Sequence, residues 1–389
     1  MPQWSLEWAF TTSSSSSLNG QHSQQIMPRE IVLVGGGHAH VEVIRRYGEA
    51  PIPDTQLTVV DRNPFPVYSG MVPGFIAGQY KQTELEIDLR ALCDTSGVDF
   101  EEGNVSKVER DSLSLDNGQS IPFEVASIDI GSTVAGSDCP GVQEFALASR
   151  PIATLVAEVE KVLESVDSTA PIHVVGGGAG GVELAFCLEA RLSKIHLEHT
   201  AVAIVTSDSA VLASSAPAIR TRVERAFTRR GIEVLQGSPV SEVSRDSLDT
   251  SDGRTRATAA TLWVTGPAAH ALGTTSALPT DKRGFIRIEP SFQVTGYDNL
   301  FAVGDCASLP GMKKAGVFAV RAGPVLDRNI RAYLQGAPLR AYQPQQDFLS
   351  LLNLGDGTAI GSKFSVVAEG RWVMRLKDRI DRSFMEKYR

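Results

Sequence analysis

One glycine-rich stretch occurs twice in the chain, and this repeat constrains the fold more than any other feature. IVLVGGGHAHVEV (Ile31–Val43) matches IHVVGGGAGGVEL (Ile172–Leu184) at 7 of 13 positions, with a constant offset of 141 residues. Each copy begins with a short apolar run, which is typical of a strand buried on both faces of a parallel sheet. Glycines and the beginning of a helix follow in each copy, so the repeat predicts two similar α/β units.

The turn between strand and helix predicts a site for an anion. Glycines let the backbone approach a phosphate, while the free N–H groups and the dipole of the helix N-terminus face it. In the first copy the predicted contact residues are Gly35, Gly36, Gly37, His38 and Ala39. The third glycine of the usual G-x-G-x-x-G pattern is His40 here, so this helix is expected to pack more loosely or differently on its strand.

An acid follows the next predicted strand of the first unit. Asp61 comes 21 residues after His40, about where such folds place a carboxylate on a ribose hydroxyl. The second unit has Thr206 and Ser207 at the corresponding strand end, and Asp208 comes too late to be the expected acid. The ribose contact of the second unit is therefore left open by the sequence.

A third element completes the pattern. The run Asn299–Asp305 reads as a strand that ends in Gly304 and Asp305, and an acid there can accept hydrogen bonds from ribityl hydroxyls. Two dinucleotide units followed by such a strand are typical of flavoenzymes that bind two dinucleotides. We therefore expect FAD in the first unit and NADH or NADPH in the second, where Gly176, Gly178 and Gly181 form the phosphate turn.

Two further segments are predicted to wall the flavin site. Residues 63–74 are rich in Pro and Gly, which predicts an irregular loop with Tyr68, Met71 and the backbone around Gly70 against the flavin. A helix predicted from Ala315 is preceded by Lys314, and its N-terminus would stabilise negative charge on reduced flavin. Lys314 is therefore the candidate for flavin electrostatics.

Two strand ends with small residues are the remaining cofactor candidates. Ser132 follows a predicted strand where the backbone can approach the adenine half of FAD, and Gly266 ends a strand near the junction of the two units. No metal site is predicted, because His196 and His199 flank Glu198 without a further ligand cluster.

Composition excludes several classes of protein. The net charge of −8 and the pI of about 5.5 give no basic footprint for nucleic acid. No run approaches the roughly 18 apolar residues of a membrane span. The four cysteines are scattered without a C-x-x-C pair, which favours a reducing compartment. We expect a cytoplasmic protein, although residues 1–28, a Ser-rich and acid-poor stretch expected to be disordered, leave an organelle address open.

The end of the chain carries an amphipathic helical pattern. An apolar residue recurs every four positions, at Trp372, Leu376, Ile380, Phe384 and Tyr388. Basic residues outnumber acidic residues by seven to three over 371–389. Such a stripe can be core or a dimer face, or it can lie on an anionic membrane surface as a peripheral contact.

Over residues 29–389 the sequence resembles the pyridine nucleotide-disulfide oxidoreductase superfamily, on the branch of type II NADH dehydrogenases. VGGGHAHVEV, YSGMVPG, KKAGVFAVRAGPVL and KDRIDRSFMEKYR resemble a subfamily often fused to selenide, water dikinase. The resemblance implies FAD held by Gly35, Gly37, Asp61 and Asp305. It also implies a nicotinamide nucleotide on the second glycine turn and Glu183.

The fold expected is α/β, with two Rossmann-like dinucleotide-binding domains arranged as in glutathione reductase and a small C-terminal α+β region. We expect an FAD domain in residues 29–150 and 286–335, an NAD(P) domain in 151–285, and a C-terminal region in 336–389. The leading hypothesis is an FAD-dependent NAD(P)H oxidoreductase that passes electrons to a quinone or another small acceptor.

Two alternatives remain at this point. A sulfide- or selenide-oxidising flavoprotein would require Cys139 and Cys306 to approach the flavin together. A nucleotide-sensing flavoprotein without catalytic turnover would use the same two sites to control dimerisation or the choice of partner.

Overall fold

A computed structural model describes residues 28–166, 170–195, 200–364 and 366–389. The predicted tail lies outside these ranges except for its last residue, and His196, Glu198 and His199 also lie outside them. The strands in chain order are β1 (Arg29–Val34), β2 (Thr55–Asp61), β3 (Asp99–Glu102), β4 (Val105–Val108), β5 (Ser112–Leu115), β6 (Ser120–Pro122), β7 (Val125–Ile128), β8 (Thr133–Val134), β9 (Ala146–Ala148), β10 (Ile172–Val175), β11 (Val202–Val205), β12 (Glu233–Leu235), β13 (Val240–Val243), β14 (Ser247–Thr250), β15 (Thr255–Ala257), β16 (Ala260–Trp263), β17 (Pro267–Ala268), β18 (Ile286–Arg287), β19 (Leu300–Ala302), β20 (Ala307–Ser308), β21 (Ser350–Asn353), β22 (Ala359–Lys363) and β23 (Val366–Gly370).

The α-helices are α1 (His38–Glu49), α2 (Val72–Ile76), α3 (Gln82–Leu85), α4 (Leu89–Ser96), α5 (Val142–Phe145), α6 (Ile152–Ser165), α7 (Ala179–Lys194), α8 (Pro217–Arg230), α9 (Leu272–Thr275), α10 (Gly316–Leu334) and α11 (Arg371–Met385). Short 3₁₀ helices occur at Ser69–Met71, Gly304–Cys306 and Glu386–Tyr388. Among the described helices none is long and apolar enough to cross a membrane.

The first unit is a five-stranded parallel sheet in the order β19-β7-β1-β2-β3. The apolar run of β1 is at its centre, and the side chains from Ile31 to Val34 are at most 2% exposed. Strand β19 joins this sheet at the edge beside β7, although the whole second unit lies between them in sequence. The carboxyl ends of the parallel strands therefore bring Gly35, Asp61, Asp129 and the segment after β19 to one edge.

The second unit repeats this architecture with the order β12-β11-β10-β16-β9. Each unit also carries a three-stranded antiparallel sheet, β4-β5-β6 in the first and β13-β14-β15 in the second. The register shifts at the same place in both, after Val105 and after Val240. The internal repeat thus extends from the glycine turn to whole units, and the predicted α/β fold with two Rossmann-like units is confirmed.

The C-terminal region consists of the antiparallel sheet β21-β22-β23 with α11 packed on it. The predicted stripe on α11 divides in two. Phe384 and Tyr388 are buried, whereas Trp372, Leu376 and Ile380 are 58%, 38% and 42% exposed. Because residues four apart advance by about 40° around a helix, a stripe of this spacing turns from solvent into the core along its length.

The segment after β2 is more regular than predicted. Residues 63–74 are expected to be irregular because of their Pro and Gly content, but Ser69–Met71 form a 3₁₀ helix and Val72–Ile76 an α-helix. Pro73 is tolerated because the first turn of a helix has no use for its missing N–H. The expectation of an irregular loop is therefore wrong for the second half of this segment.

Candidate functional site

Two grooves open at the carboxyl ends of the two parallel sheets. The first groove, of about 560 Å³, lies over the turn of β1 and continues into a second cavity of about 380 Å³ that shares Asp61, Arg62, Ile130 and His270 with it. The second groove, of about 620 Å³, lies over the glycine turn of β10. This location at the ends of the strands is where open α/β sheets bind ligands.

The glycine turn of the first unit approaches its neighbours too closely for any side chain. Gly35 has a φ of +92°, and a Cβ there would lie 2.5 Å from the carbonyl oxygen of Asp129. A Cβ on Gly37 would lie 2.2 Å from the carboxyl carbon of Asp129. The turn therefore brings backbone to the groove where a larger residue would fill it, which is what phosphate binding requires.

Asp61 is held at the end of β2 by backbone donors. The N–H of Gly36 donates to Oδ2 at 2.5 Å, and the N–H of Asn63 donates to Oδ1 at 2.8 Å. Burial raises the pKa of Asp61, while these hydrogen bonds oppose the shift. The carboxylate lines both parts of the first groove, so it is placed where an acid can accept from a ribose hydroxyl.

His40 replaces the third glycine by making its own bonds. Its Nδ1–H donates to the carbonyl oxygen of Gly35 at 2.6 Å, and Nε2 accepts from the Ser127 hydroxyl at 2.8 Å. Burial lowers the pKa of His40 to about 4, so the ring is neutral at physiological pH. The imidazole thus connects the glycine turn to β7. The sequence predicts looser or different packing of this helix, and the His40 bridge is the difference that the structure shows.

The carboxylate of Asp129 is the functional candidate that sequence reasoning missed. Its Oδ2 accepts from the N–H of Ala39 at 2.9 Å, and the side chain is 3% exposed. Burial is the largest cause that raises the pKa of Asp129 to about 7, and the nearby acids Asp61 and Asp305 raise it further. The sequence does contain a signal for this residue, because Asp129 directly follows the buried strand β7.

Asp305 lines the first groove together with the glycine turn. It lies in the 3₁₀ helix that begins at Gly304, which has a φ of +69°. The Ser132 hydroxyl donates to its Oδ2 at 3.4 Å, and Arg150 Nη2 lies 3.8 Å from the same oxygen. Burial raises the pKa of Asp305, and the charge of Arg150 lowers it.

Tyr68 stands behind the wall of the first groove. Its ring stacks on Phe384 of α11, with 4.2 Å between the ring centroids, and its hydroxyl donates to Asp381 at 3.2 Å. The adjacent Ser69 lines the groove, as does His38, whose Nε2 is buried without a partner in the described part of the chain. An unsatisfied buried nitrogen in a groove suits a bound polar ligand.

Two candidate residues next to the start of α10, Lys314 and Ala315, line different grooves. Ala315 and Gly316 line the first groove, whereas Lys314 lines the second. Lys314 donates to the carbonyl oxygen of Ala307, and its Nζ lies 4.1 Å from the centroid of the Phe285 ring. Burial lowers the pKa of Lys314. Its charge therefore lies in the second groove rather than inside the first.

The second groove is built on a tighter glycine turn. Gly176 has a φ of +134°, and a Cβ on Gly181 would lie 1.8 Å from the carbonyl oxygen of Gly176. Gly176, Gly178 and Gly266 line the groove, whereas Gly181 lies beneath it as a packing residue. Asp208 also lines the groove, two residues beyond the strand end where the sequence places the ribose contact.

Glu183 points away from the second groove. Its side chain accepts from the N–H of Asn353 at 2.8 Å in the C-terminal region. Burial raises the pKa of Glu183 to about 7, and the charge of Lys377 opposes this shift. The structure therefore places Glu183 at the contact between the second unit and the C-terminal region.

Cys139 and Cys306 lie in separate hydrophobic clusters. Cys306 is buried near Ile128 and Val303, and Cys139 packs beside Val240 at the edge of another cluster. Neither cysteine is among the described residues that line the two grooves. This arrangement does not supply the cysteine pair that a sulfide-oxidising flavoprotein would require.

The residues present fit the cofactors that the sequence predicts. The first groove offers a side-chain-free turn, a strand-end acid at Asp61 and a buried ring nitrogen at His38. The second offers another such turn and an exposed acid at Asp208. Arg150 lines both grooves, so their inner ends meet at one guanidinium.

Comparisons with known proteins agree with this arrangement. The sequence profile of the family described as pyridine nucleotide-disulphide oxidoreductase matches residues 29–325. The chain is 23% identical over 337 residues to the NADH dehydrogenase-like protein YutJ of Bacillus subtilis, covering 86% of this chain and 92% of that protein. It is 23% identical over 374 residues to the type II NADH:quinone oxidoreductase Ndh of Mycobacterium tuberculosis, covering 87% of this chain and 79% of that protein.

A solved structure shows the same fold. The sulfide:quinone oxidoreductase of Aquifex aeolicus superimposes with a TM-score of 0.80 at 17% identity, covering 93% of this chain and 91% of that one. At this level of identity the likeness concerns the fold alone. Together with the matched profile, it confirms the predicted superfamily and fold class.

Proposed function

The chain belongs to the pyridine nucleotide-disulphide oxidoreductase family, and from that premise we propose that it is an FAD-dependent NAD(P)H oxidoreductase with a quinone as acceptor. FAD belongs in the first groove, within a domain of residues 29–150 and 286–335. NAD(P)H belongs in the second groove, within residues 151–285. The observation that carries the proposal is the meeting of the two grooves at Arg150.

In the proposed reaction the cofactor supplies the redox chemistry, and the residues of the chain supply binding and charge. FAD bound in the first groove would supply the hydride and electron-transfer chemistry, so this half-reaction would need no side chain as an acid or base. The glycine turns hold phosphates, Asp61 orients a ribose, and Asp305 accepts from hydroxyls in the same groove. Arg150 and Lys314 bring positive charge to the junction, where both ligands carry negative charge.

A quinone is the acceptor that the relatives favour. The relative from Mycobacterium tuberculosis is named an NADH:quinone oxidoreductase, and the similarity spans 87% of this chain.

Turnover of the purified holoprotein tests the proposal. With NADH or NADPH and a short-chain quinone, we expect quinone-dependent oxidation at a rate on the order of 10 per second, a usual enzyme value. A Cys139→Ala/Cys306→Ala double variant serves as the control and should retain this activity. A protein that holds FAD but reacts only once with the nucleotide would contradict the proposal and favour the nucleotide-sensing alternative.

We further propose that α11 rests on an anionic membrane surface. Its exposed side carries Trp372, Leu376 and Ile380, with Arg375 and Arg379 beside them. An apolar stripe flanked by arginines suits the boundary between lipid head groups and acyl chains. A quinone dissolved in the membrane would then be close to the protein.

Sedimentation with vesicles tests this contact. The protein should sediment with phosphatidylglycerol vesicles and much less with phosphatidylcholine vesicles, and Trp372→Ser/Leu376→Ser/Ile380→Ser should abolish binding. Leu349→Ser, which changes a leucine that is also 38% exposed, is the matched control. If instead light scattering shows a dimer that the triple variant turns into a monomer, the face contacts a second copy and the membrane proposal fails.

A further inference from the structure

The carboxylate of Asp129 lies where the first groove needs positive potential. Its Oδ2 accepts from the N–H of Ala39, in the first turn of α1, at 2.9 Å. The N-terminus of a helix is the part that attracts phosphate in this fold. Asp129 also lines the first groove, so a side-chain anion already contacts the donors on which a phosphate would depend.

The glycines around Asp129 show that its position is built into the fold. A Cβ on Gly37 would lie 2.2 Å from its carboxyl carbon, and a Cβ on Gly304 would lie 2.2 Å from Oδ1. Two separate turns of the first unit therefore leave space for this one carboxyl group. The residue is 3% exposed, so its carboxyl group is almost entirely removed from water.

The charged groups that face Asp129 do not neutralise it. Asp61 comes from the end of β2, and Asp305 from the 3₁₀ helix after β19, and both raise the pKa of Asp129. The ring of His40 on α1 is neutral. The thiol of Cys306, in the 3₁₀ helix after β19, is also neutral because burial raises its pKa to about 12. The basic groups Arg150 and Lys314 act on Asp305, whose pKa they lower.

A second anion in this groove would meet strong repulsion. FAD carries a pyrophosphate with two negative charges, and in the first groove it would join the carboxylates of Asp61, Asp129 and Asp305. A proton on Asp129 removes one charge at the helix N-terminus. The protonated group keeps one oxygen to accept from the Ala39 N–H and gains an O–H donor.

We propose that Asp129 couples FAD binding to the uptake of one proton from solvent, so that the protein holds FAD more tightly as the pH falls. This inference rests on the proposed function, because it requires FAD in the first groove. In this reaction the ionised carboxylate of Asp129, one proton and FAD give a complex in which Asp129 is a neutral carboxylic acid.

The direction of the pH dependence follows from linkage. A group whose pKa is higher in the complex than in the free protein favours binding below the pKa of the free protein, and that advantage is lost as the pH rises. Burial raises the pKa of Asp129 in the free protein to about 7. The dissociation constant of FAD should therefore be flat in acid and should rise above neutral pH, by about tenfold per pH unit at the steepest.

Dilution of the holoprotein measures this directly, because released FAD is fluorescent. We expect the wild-type dissociation constant to rise between pH 7 and 9, and we expect Asp129→Asn to remove the slope. Asp305→Asn takes a neighbouring carboxylate from the same groove and serves as the matched comparison. It should weaken FAD binding yet keep the slope, which moves to lower pH because the charge of Asp305 no longer raises the pKa of Asp129.

A second measurement needs no variant. In weak buffer with a pH-indicator dye, release of FAD from the wild type at pH 8 should return close to one proton per FAD. A constant affinity from pH 6 to 9 with no proton released, or a slope that Asp129→Asn retains, would overturn the coupling. A purified protein without FAD at any pH would instead contradict the proposed function, so the two failures are distinct.

Discussion

The two nucleotide units share a topology but differ at three matched positions of their sites. The strand registers establish which residues are equivalent. Val34 pairs with Val60 and Ile128 in the first unit, and Val175 pairs in the same way with Val205 and Trp263 in the second. The next residues at the strand ends are therefore equivalent. Asp61 corresponds to Thr206, Asp129 to Val264, and His40 on the helix corresponds to Gly181.

These differences give the two grooves different chemistry. The first unit fixes its turn through side chains, since Asp61 and His40 both bond to backbone of the glycine turn. The second has an uncharged floor at Thr206 and Val264 and relies on the approach of Gly181 to Gly176. A glycine turn braced by side chains suits a cofactor that stays bound, while a turn shaped by close glycine packing suits a nucleotide that enters and leaves in each cycle.

The largest effect should come from Gly181→Ala. The new methyl group would lie 1.8 Å from the Gly176 carbonyl oxygen, so the phosphate turn must shift. We expect the affinity for NADH to fall by about 100-fold, the size of loss that a misplacement of about 1 Å can cause in an active site, while the FAD content stays that of the wild type. Equilibrium binding of NADH reports the loss. Gly180→Ala is the control, because its methyl group would meet only a Val264 methyl carbon at 3.6 Å and should cost far less.

A smaller effect is expected from His40→Ala, which changes the equivalent position in the first unit. The substitution opens a cavity and leaves the Gly35 carbonyl oxygen without its donor, at a cost of about 2 kcal/mol in the free energy of unfolding. Urea denaturation measures this cost. Ser127→Ala removes only one bond of the same bridge and should cost about 1 kcal/mol.

His40→Gly makes the first unit match the second at this position. It restores the third glycine of the usual motif, yet it should be no more stable than His40→Ala because the space around the ring remains empty. A glycine variant as stable as the wild type would show that the bridge from His40 to Ser127 contributes nothing.

The smallest effect concerns the choice of nucleotide. Asp208 is exposed in the second groove, where its charge would repel the extra phosphate of NADPH. We expect the wild type to prefer NADH and Asp208→Ser to lower the ratio of kcat/KM for NADH over NADPH by about tenfold, the equivalent of 1.4 kcal/mol. Asp138→Ser removes an exposed acid outside the grooves and should leave the ratio unchanged. A wild-type preference for NADPH would contradict this role.

The sequence predicts the parts of the site that depend on local patterns. Glycine turns and strand ends follow from short-range rules, and they place Gly35, Asp61, Gly176 and Asp305 at the grooves. The sequence cannot predict which distant side chain reaches a turn. The bond from Ala39 to Asp129 spans 90 residues, and that from Asn353 to Glu183 spans 170.

The C-terminal helix illustrates the same limit. A four-residue repeat identifies the helix, but the repeat gives one stripe, while tertiary packing divides it between Trp372 in solvent and Phe384 against Tyr68. Periodicity reports which residues share a side of a helix. It does not report which part of that side a neighbouring domain covers.

An anaerobic titration of the wild type and Gly181→Ala with NADH, side by side, tests whether each unit holds its own cofactor. We expect both proteins to be yellow with FAD, the wild type to bleach with about one equivalent of NADH, and the variant to keep its colour at the same concentration. Bleaching of Gly181→Ala as readily as the wild type, or loss of FAD from the variant, would contradict the assignment of one cofactor to each unit.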